Sequence, residues 1–104
     1  MYQTLDSAGL QALLAGENPP RLIDVRGPAE VARGMIPGAQ HMDLSAIPTR
    51  ESELDPKVPL VLYCLSGARS ARACAYLEQR GFRHLYHLEG GIAAWTKAGF
   101  PVSA

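Results

Sequence analysis

Cysteine is scarce in this chain: Cys64 and Cys74 are the only two among 104 residues. One pair cannot make the disulfide framework of a small secreted scaffold, so a reducing compartment, the cytoplasm, is the expectation. A charge bias is also missing. Ten Lys and Arg balance ten Asp and Glu, for a formal net charge of zero. No overall field draws the chain to nucleic acid or to an anionic membrane. Long apolar runs are absent, which excludes a membrane-spanning helix, and Met1–Asp6 has neither the basic nor the apolar part of a secretory leader. Internal repeats, low-complexity blocks and linkers are absent as well. What remains is a globular balance, 47% hydrophobic and 19% charged, with the length of one domain, residues 1–104.

Eight prolines and ten glycines cut the chain into short elements. A first helix is expected from about Ser7, capped by Asp6 or Ser7, with Leu10, Leu13 and Leu14 on its inner face and Gly16 at its end. Leu22-Ile23-Asp24-Val25 reads as a buried strand. Pro28 and Glu30 open a short helix that Gly34 closes. Gln40–Met42 reads as a very short strand, and one helical turn is expected around residues 46–51. Leu60-Val61-Leu62-Tyr63 has the continuous apolar character of a central parallel strand covered on both faces. A helix follows over about 70–80, then a strand over 84–88 and a last helix over 92–97. This alternation implies an α/β domain with a small, mainly parallel sheet flanked by helices on both faces.

Chemistry in such sheets collects beyond the carboxyl ends of the strands. The central strand delivers Cys64 to that edge, followed by Leu65-Ser66-Gly67-Ala68-Arg69-Ser70 and a helix. A tight strand-to-helix loop turns backbone N–H groups toward one point, and the helix dipole adds to them. A cysteine there has its pKa lowered, because the thiolate is the anion being stabilised. Gly67 permits the turn, and Arg69 supplies a guanidinium fork for an oxyanion. A free cysteine is more often a small inert core residue. The strand–cysteine–glycine–arginine–helix context sets the nucleophile reading beside that one, and the residues alone do not name a reaction.

Four segments resemble the rhodanese family of sulfurtransferases. Cys64–Ser70 is similar to its C-x-x-G-x-R-S loop, and Leu22-Ile23-Asp24-Val25-Arg26 to its first signature. Gly34-Met35-Ile36-Pro37-Gly38-Ala39 is similar to its G-H-I-P-G-A turn, with Met35 where the family usually has histidine; Val31 also replaces a commonly aromatic residue. Tyr86–Trp95 is similar to its closing L-x-G-G-x-x-A-W segment. The resemblance implies a rhodanese-like fold and transfer of sulfane sulfur through a persulfide on Cys64. The donor would be a small molecule such as thiosulfate, and the acceptor cyanide or a thiol. The loop residues Leu65, Ser66, Gly67, Ala68, Arg69 and Ser70 would bind substrate, with Arg69 orienting an anionic donor. No metal or organic cofactor is implied. Two alternatives are a persulfide carrier serving a protein partner and a non-catalytic binding module. A third, a phosphatase or arsenate reductase on the same fold, is disfavoured by the loop, which is one residue shorter than the C-x5-R of those enzymes.

Asp24 and Arg26 are assigned supporting roles. They share one face of an extended segment, where a buried acid needs a partner. Arg26, past the strand end, has the better reach toward the pocket. His84 and His87, three apart on one strand, face opposite ways and cannot chelate one ion; with His41 they are placed outside the chemistry. Arg72 is expected to be a solvated helix charge, Cys74 a buried apolar residue and Trp95 a core anchor.

Overall fold

The computed structural model describes residues 1–103. Its centre is a five-stranded sheet in the order β1-β5-β4-β2-β3, with every pair of neighbours parallel. The strands are β1 (Gln3–Leu5), β2 (Arg21–Asp24), β3 (Gln40–His41), β4 (Leu60–Tyr63) and β5 (Leu85–Leu88). Parallel neighbours require crossovers, and four helices provide them: α1 (Ser7–Leu14), α2 (Pro28–Val31), α3 (Ile47–Arg50) and α4 (Ala68–Gln79); α5 (Gly91–Lys97) follows the last strand. Single 3₁₀ turns flank α3 on either side.

Alternation along β4 builds two cores. Leu60, Leu62 and Cys64 face one side, where they pack with Ile47 of α3 and with Ala73, Cys74 and Leu77 of α4. Val61 and Tyr63 face the other side, against Leu10 of α1 and Ile92 and Trp95 of α5. All four β4 residues are buried, as expected for a strand with helices on both faces. The Trp95 indole donates to the Pro101 carbonyl at 2.8 Å, which satisfies its one polar atom.

Three expectations change. β1 was not anticipated: it is a three-residue edge strand beside β5, too short and too exposed to show a pattern. Leu13 is 40% exposed, so the inner face of α1 is Leu10 with a half-buried Leu14. Asp6 does cap that helix, accepting from the Gly9 N–H at 2.7 Å. Finally, α4 starts two residues earlier than its pattern suggests. Gly67, at φ 119°, lets the chain leave the loop and enter the helix at Ala68.

Candidate active site

Cys64 sits one residue past β4, with Sγ under the N-terminus of α4. The Gly67 N–H donates to it at 3.0 Å and the Ser70 N–H at 3.4 Å, and the Ser70 hydroxyl lies 3.6 Å away. Burial pushes the thiol pKa up, and these donors, with the Ser66 N–H, more than offset it. The net direction is down, toward thiolate. The side chain is only 1% exposed, while Leu65, Ser66 and Ala68 are exposed around it.

The loop is held from behind by α5. The Ile92 and Ala93 N–H groups donate to the Cys64 and Leu65 carbonyls at 2.9 and 3.1 Å. With its carbonyls bound outward, the loop is free to turn N–H groups onto the sulfur. Gly91, at φ 58°, is required for this approach: a Cβ there would fall on the Cys64 and Leu65 carbonyl oxygens. Gly91, the first residue of α5, therefore backs the site.

Arg69 is not free. Its guanidinium grips Glu30 of α2 through two bonds, 2.6 and 2.8 Å. The same carboxylate accepts from the Gly27 N–H at 3.2 Å. Arg69 holds the Glu30 carboxyl far below the usual range, at about 2. Both side chains are about one-third exposed. They border a cleft of about 560 Å³ with an apolar floor of Val25, Leu44, Ile47 and Ala73 and with Arg72 and Tyr76 on its wall. Glu30 was missed as a site residue because it lies 39 residues from Arg69.

Asp24 and Arg26 brace the scaffold and do not reach the sulfur. The Asp24 carboxylate accepts from the Arg26 backbone N–H at 2.9 Å and from its guanidinium at 2.7 to 3.1 Å. Arg26, 5% exposed, also donates to the Gly34 carbonyl at 2.6 Å and lies 5.9 Å from the Tyr63 ring centre. The Tyr63 hydroxyl in turn accepts from the Ile36 N–H at 3.0 Å. The 34–36 turn is thus pinned to the sheet from two sides. Met35 contributes its backbone: its N–H and carbonyl pair with Ser103 at 2.8 Å each way.

The histidines part company. His84 is exposed and precedes β5, so opposite strand faces are not what separates it from His87. His41 bonds the Arg26 carbonyl through Nε2 at 2.7 Å. His87 enters the site network, with Nδ1 2.9 Å from the Ser70 hydroxyl. Its period-2 position on β5, two beyond the inward Leu85, is the signal that could have found it. Cys74 is buried, and burial pushes its thiol up to about 12. Among the described residues, no group of three or more His, Cys, Asp or Glu is arranged to hold a metal ion.

A loop of this build invites comparison with known proteins. The family model for the rhodanese-like domain matches residues 7–98. The chain belongs to the rhodanese-like family. It is similar over its whole length to a sulfurtransferase of Allochromatium vinosum, at 45% identity over 104 residues and 97% of that protein. The thiosulfate sulfurtransferase GlpE of Pseudomonas paraeruginosa is 36% identical over 85 residues, covering 82% of this chain and 77% of the relative. Among solved structures, a rhodanese-related protein from Thermoplasma volcanium superposes with a TM-score of 0.88 at 29% identity, covering 97% of each chain. The rhodanese-like fold expected from the four segments is the fold observed. No helix among the described residues is long and apolar enough to cross a membrane.

Proposed function

We propose that this rhodanese-like chain, acting as one domain over residues 1–104, is a sulfurtransferase whose Cys64 carries sulfane sulfur as a persulfide. The observation that supports it is the N–H cradle on Cys64 Sγ, an anion site built around a sulfur atom. In the first step the Cys64 thiolate attacks the outer sulfur of thiosulfate. The S–S bond of the donor breaks, sulfite leaves with the electron pair, and Cys64 holds a persulfide anion. In the second step cyanide or a thiol attacks the terminal sulfur and restores the thiolate. The Gly67 and Ser70 N–H groups bond the thiolate beforehand and remain as donors to the persulfide. Leu65, Ser66 and Ala68 form the mouth, and Arg69, steadied by Glu30, gives the entrance a cationic fork. The short C-x4-R loop favours sulfur over a tetrahedral phosphate, and the GlpE relative supports thiosulfate as donor. Chemistry that cycles through a free thiolate suits a reducing compartment such as the cytoplasm.

Mass spectrometry tests the reading. Incubation with thiosulfate is expected to add one sulfur to the Cys64 peptide, and cyanide to remove it. Cys64→Ser is expected to abolish both the adduct and thiocyanate production. A folded wild-type chain that stays unmodified would retire thiosulfate as donor; full activity in Cys64→Ser would retire the mechanism.

A further inference from the structure

Ser70 holds an unusual position in this network. Its hydroxyl is fully buried and owns one hydrogen, yet three acceptors lie around it. These are Cys64 Sγ at 3.6 Å, the Gly67 carbonyl at 3.2 Å and His87 Nδ1 at 2.9 Å. The Gly67 carbonyl already accepts from the Ala71 N–H at 3.0 Å as part of the first turn of α4. The direction of the shortest contact therefore decides whether the sulfur receives the hydroxyl hydrogen.

We propose that His87 is a positioning residue for Cys64: its Nδ1–H donates to the Ser70 oxygen and leaves the Ser70 hydrogen to face the sulfur. The proposal rests on the sulfur-transfer reading in that Cys64 is taken as the reacting atom. With Nδ1 a donor, the ring does not compete for the hydroxyl hydrogen; it anchors the Ser70 oxygen and polarises its O–H toward the sulfur, support that a leucine would withdraw. Between the two acceptors left, a charged sulfur attracts the hydrogen more strongly than a carbonyl that already has a partner.

The ring is built into place. The backbone of His87 is paired on both sides, beside Leu62 of β4 and Thr4 of β1. The Tyr2 ring stands edge-on at 6.1 Å. Gly67 covers the imidazole so closely that a Cβ there would come within 3.1 Å of Cε1. The titratable groups facing the ring are Tyr2 just before β1, Cys64 across Ser70, and Glu89 just past β5. Burial lowers the His87 pKa while Glu89 pulls it the other way, with burial the larger effect. Burial thus favours the uncharged ring, and in the proposed arrangement its one N–H hydrogen is on Nδ1.

The test reads the pH dependence of Cys64 alkylation by iodoacetamide, followed on the Cys64 peptide by mass spectrometry so that Cys74 does not interfere. His87→Leu is expected to raise the midpoint and to slow alkylation below it about three- to tenfold, the value of one hydrogen bond. Ser70→Ala should do the same, and adding His87→Leu to it should bring no further loss. His87→Asn, whose amide nitrogen takes the place of Nδ1, should recover most of the loss; His87→Gln, with its amide at the level of Nε2, should not. An unmoved midpoint in folded His87→Leu overturns the proposal, as does an equal effect with and without Ser70. Should His87→Leu fail to fold, equal behaviour of the Asn and Gln variants overturns it. Thiosulfate loading of the wild type is scored separately. A chain that takes no sulfur retires the sulfur-transfer reading, while the alkylation series still decides the part played by His87.

Discussion

Glu30 shows how one side chain can set the character of a site it does not belong to by sequence. Its carboxylate caps the start of α2 through Gly27 and grips both ends of the Arg69 fork. The guanidinium that would meet an anionic donor is thereby half neutralised. Glu30→Gln removes the charge but keeps an acceptor at the same place. The expected result is a lower KM for thiosulfate, by about two- to fivefold, since a partly exposed pair is worth at most about 1 kcal/mol. Steady-state kinetics decide it; a higher KM would mean that Glu30 holds Arg69 in its productive pose. The sign of the pH dependence follows from the depressed carboxyl. The pair contributes fully above the ordinary glutamate range near 4.5 and is lost as pH falls toward about 2. The KM difference between wild type and Glu30→Gln should therefore hold constant from pH 5 to 8. The two cysteines make the complementary case. Cys64 has N–H donors and a lowered pKa; Cys74, on the inner face of α4 in the apolar core, has a raised one. Iodoacetamide at pH 8 should label Cys64 in the native protein and leave Cys74 until the chain unfolds.

Gly91 carries a comparable burden at the level of elements, since α5 can touch the loop only through a residue without a side chain. Gly91→Ala adds a Cβ where the Cys64 and Leu65 carbonyl oxygens lie, at a φ of 58° that already disfavours it. A loss of about 2 kcal/mol or more is expected by urea unfolding, together with loss of sulfur loading. Gly99→Ala is the control. It has a similar φ of 88° and open space around it, so about 1 kcal/mol and retained loading are expected. Equal losses would show that the backbone angle matters and the contact does not. Much at this scale was legible in the residues. β4 announced itself as four consecutive β-prone apolar residues, and Asp6, Pro28 and Gly67 punctuate the helices they adjoin. What escaped was either too short or too distant. β1 has two exposed residues and one half-buried one, and it exists because β5 offers it an edge. Leu13 belongs to an apolar stripe, but an eight-residue helix on the surface covers the core with only one turn of it. Glu30 reaches the site through a tertiary contact that no local spacing encodes, and the period-2 position of His87 gives its face of the sheet but not the Ser70 partner it meets there.

Two cores on one sheet give the whole molecule a stability that titrates in opposite directions at its two cysteines. Cys64 lies at the sheet edge with its folded pKa below the unfolded value of about 9, so its contribution grows as pH rises toward that value. Cys74 lies on the face of α4 turned to β5, its Sγ 3.7 Å from the Tyr86 carbonyl, with a folded pKa of about 12. The unfolded chain therefore gives up the Cys74 proton near pH 9 while the folded chain keeps it. Stability is lost as pH rises through that window. Tyr63, buried in the other core and likewise raised, adds a loss of the same sign beginning near pH 10. Alkaline sensitivity is thus a property of the buried layers and not of the Cys64–Ser70 loop. Cys74→Ala should remove the first part of it. Between pH 8 and 10 the wild type is expected to lose about 1 kcal/mol more than the variant, from one proton released over one pH unit. Urea unfolding at pH 7.5, 9 and 10 measures the slope, which is insensitive to the small constant cost of the missing sulfur. Parallel slopes for wild type and Cys74→Ala would place the alkaline loss elsewhere, with Tyr63→Phe the next variant to separate it.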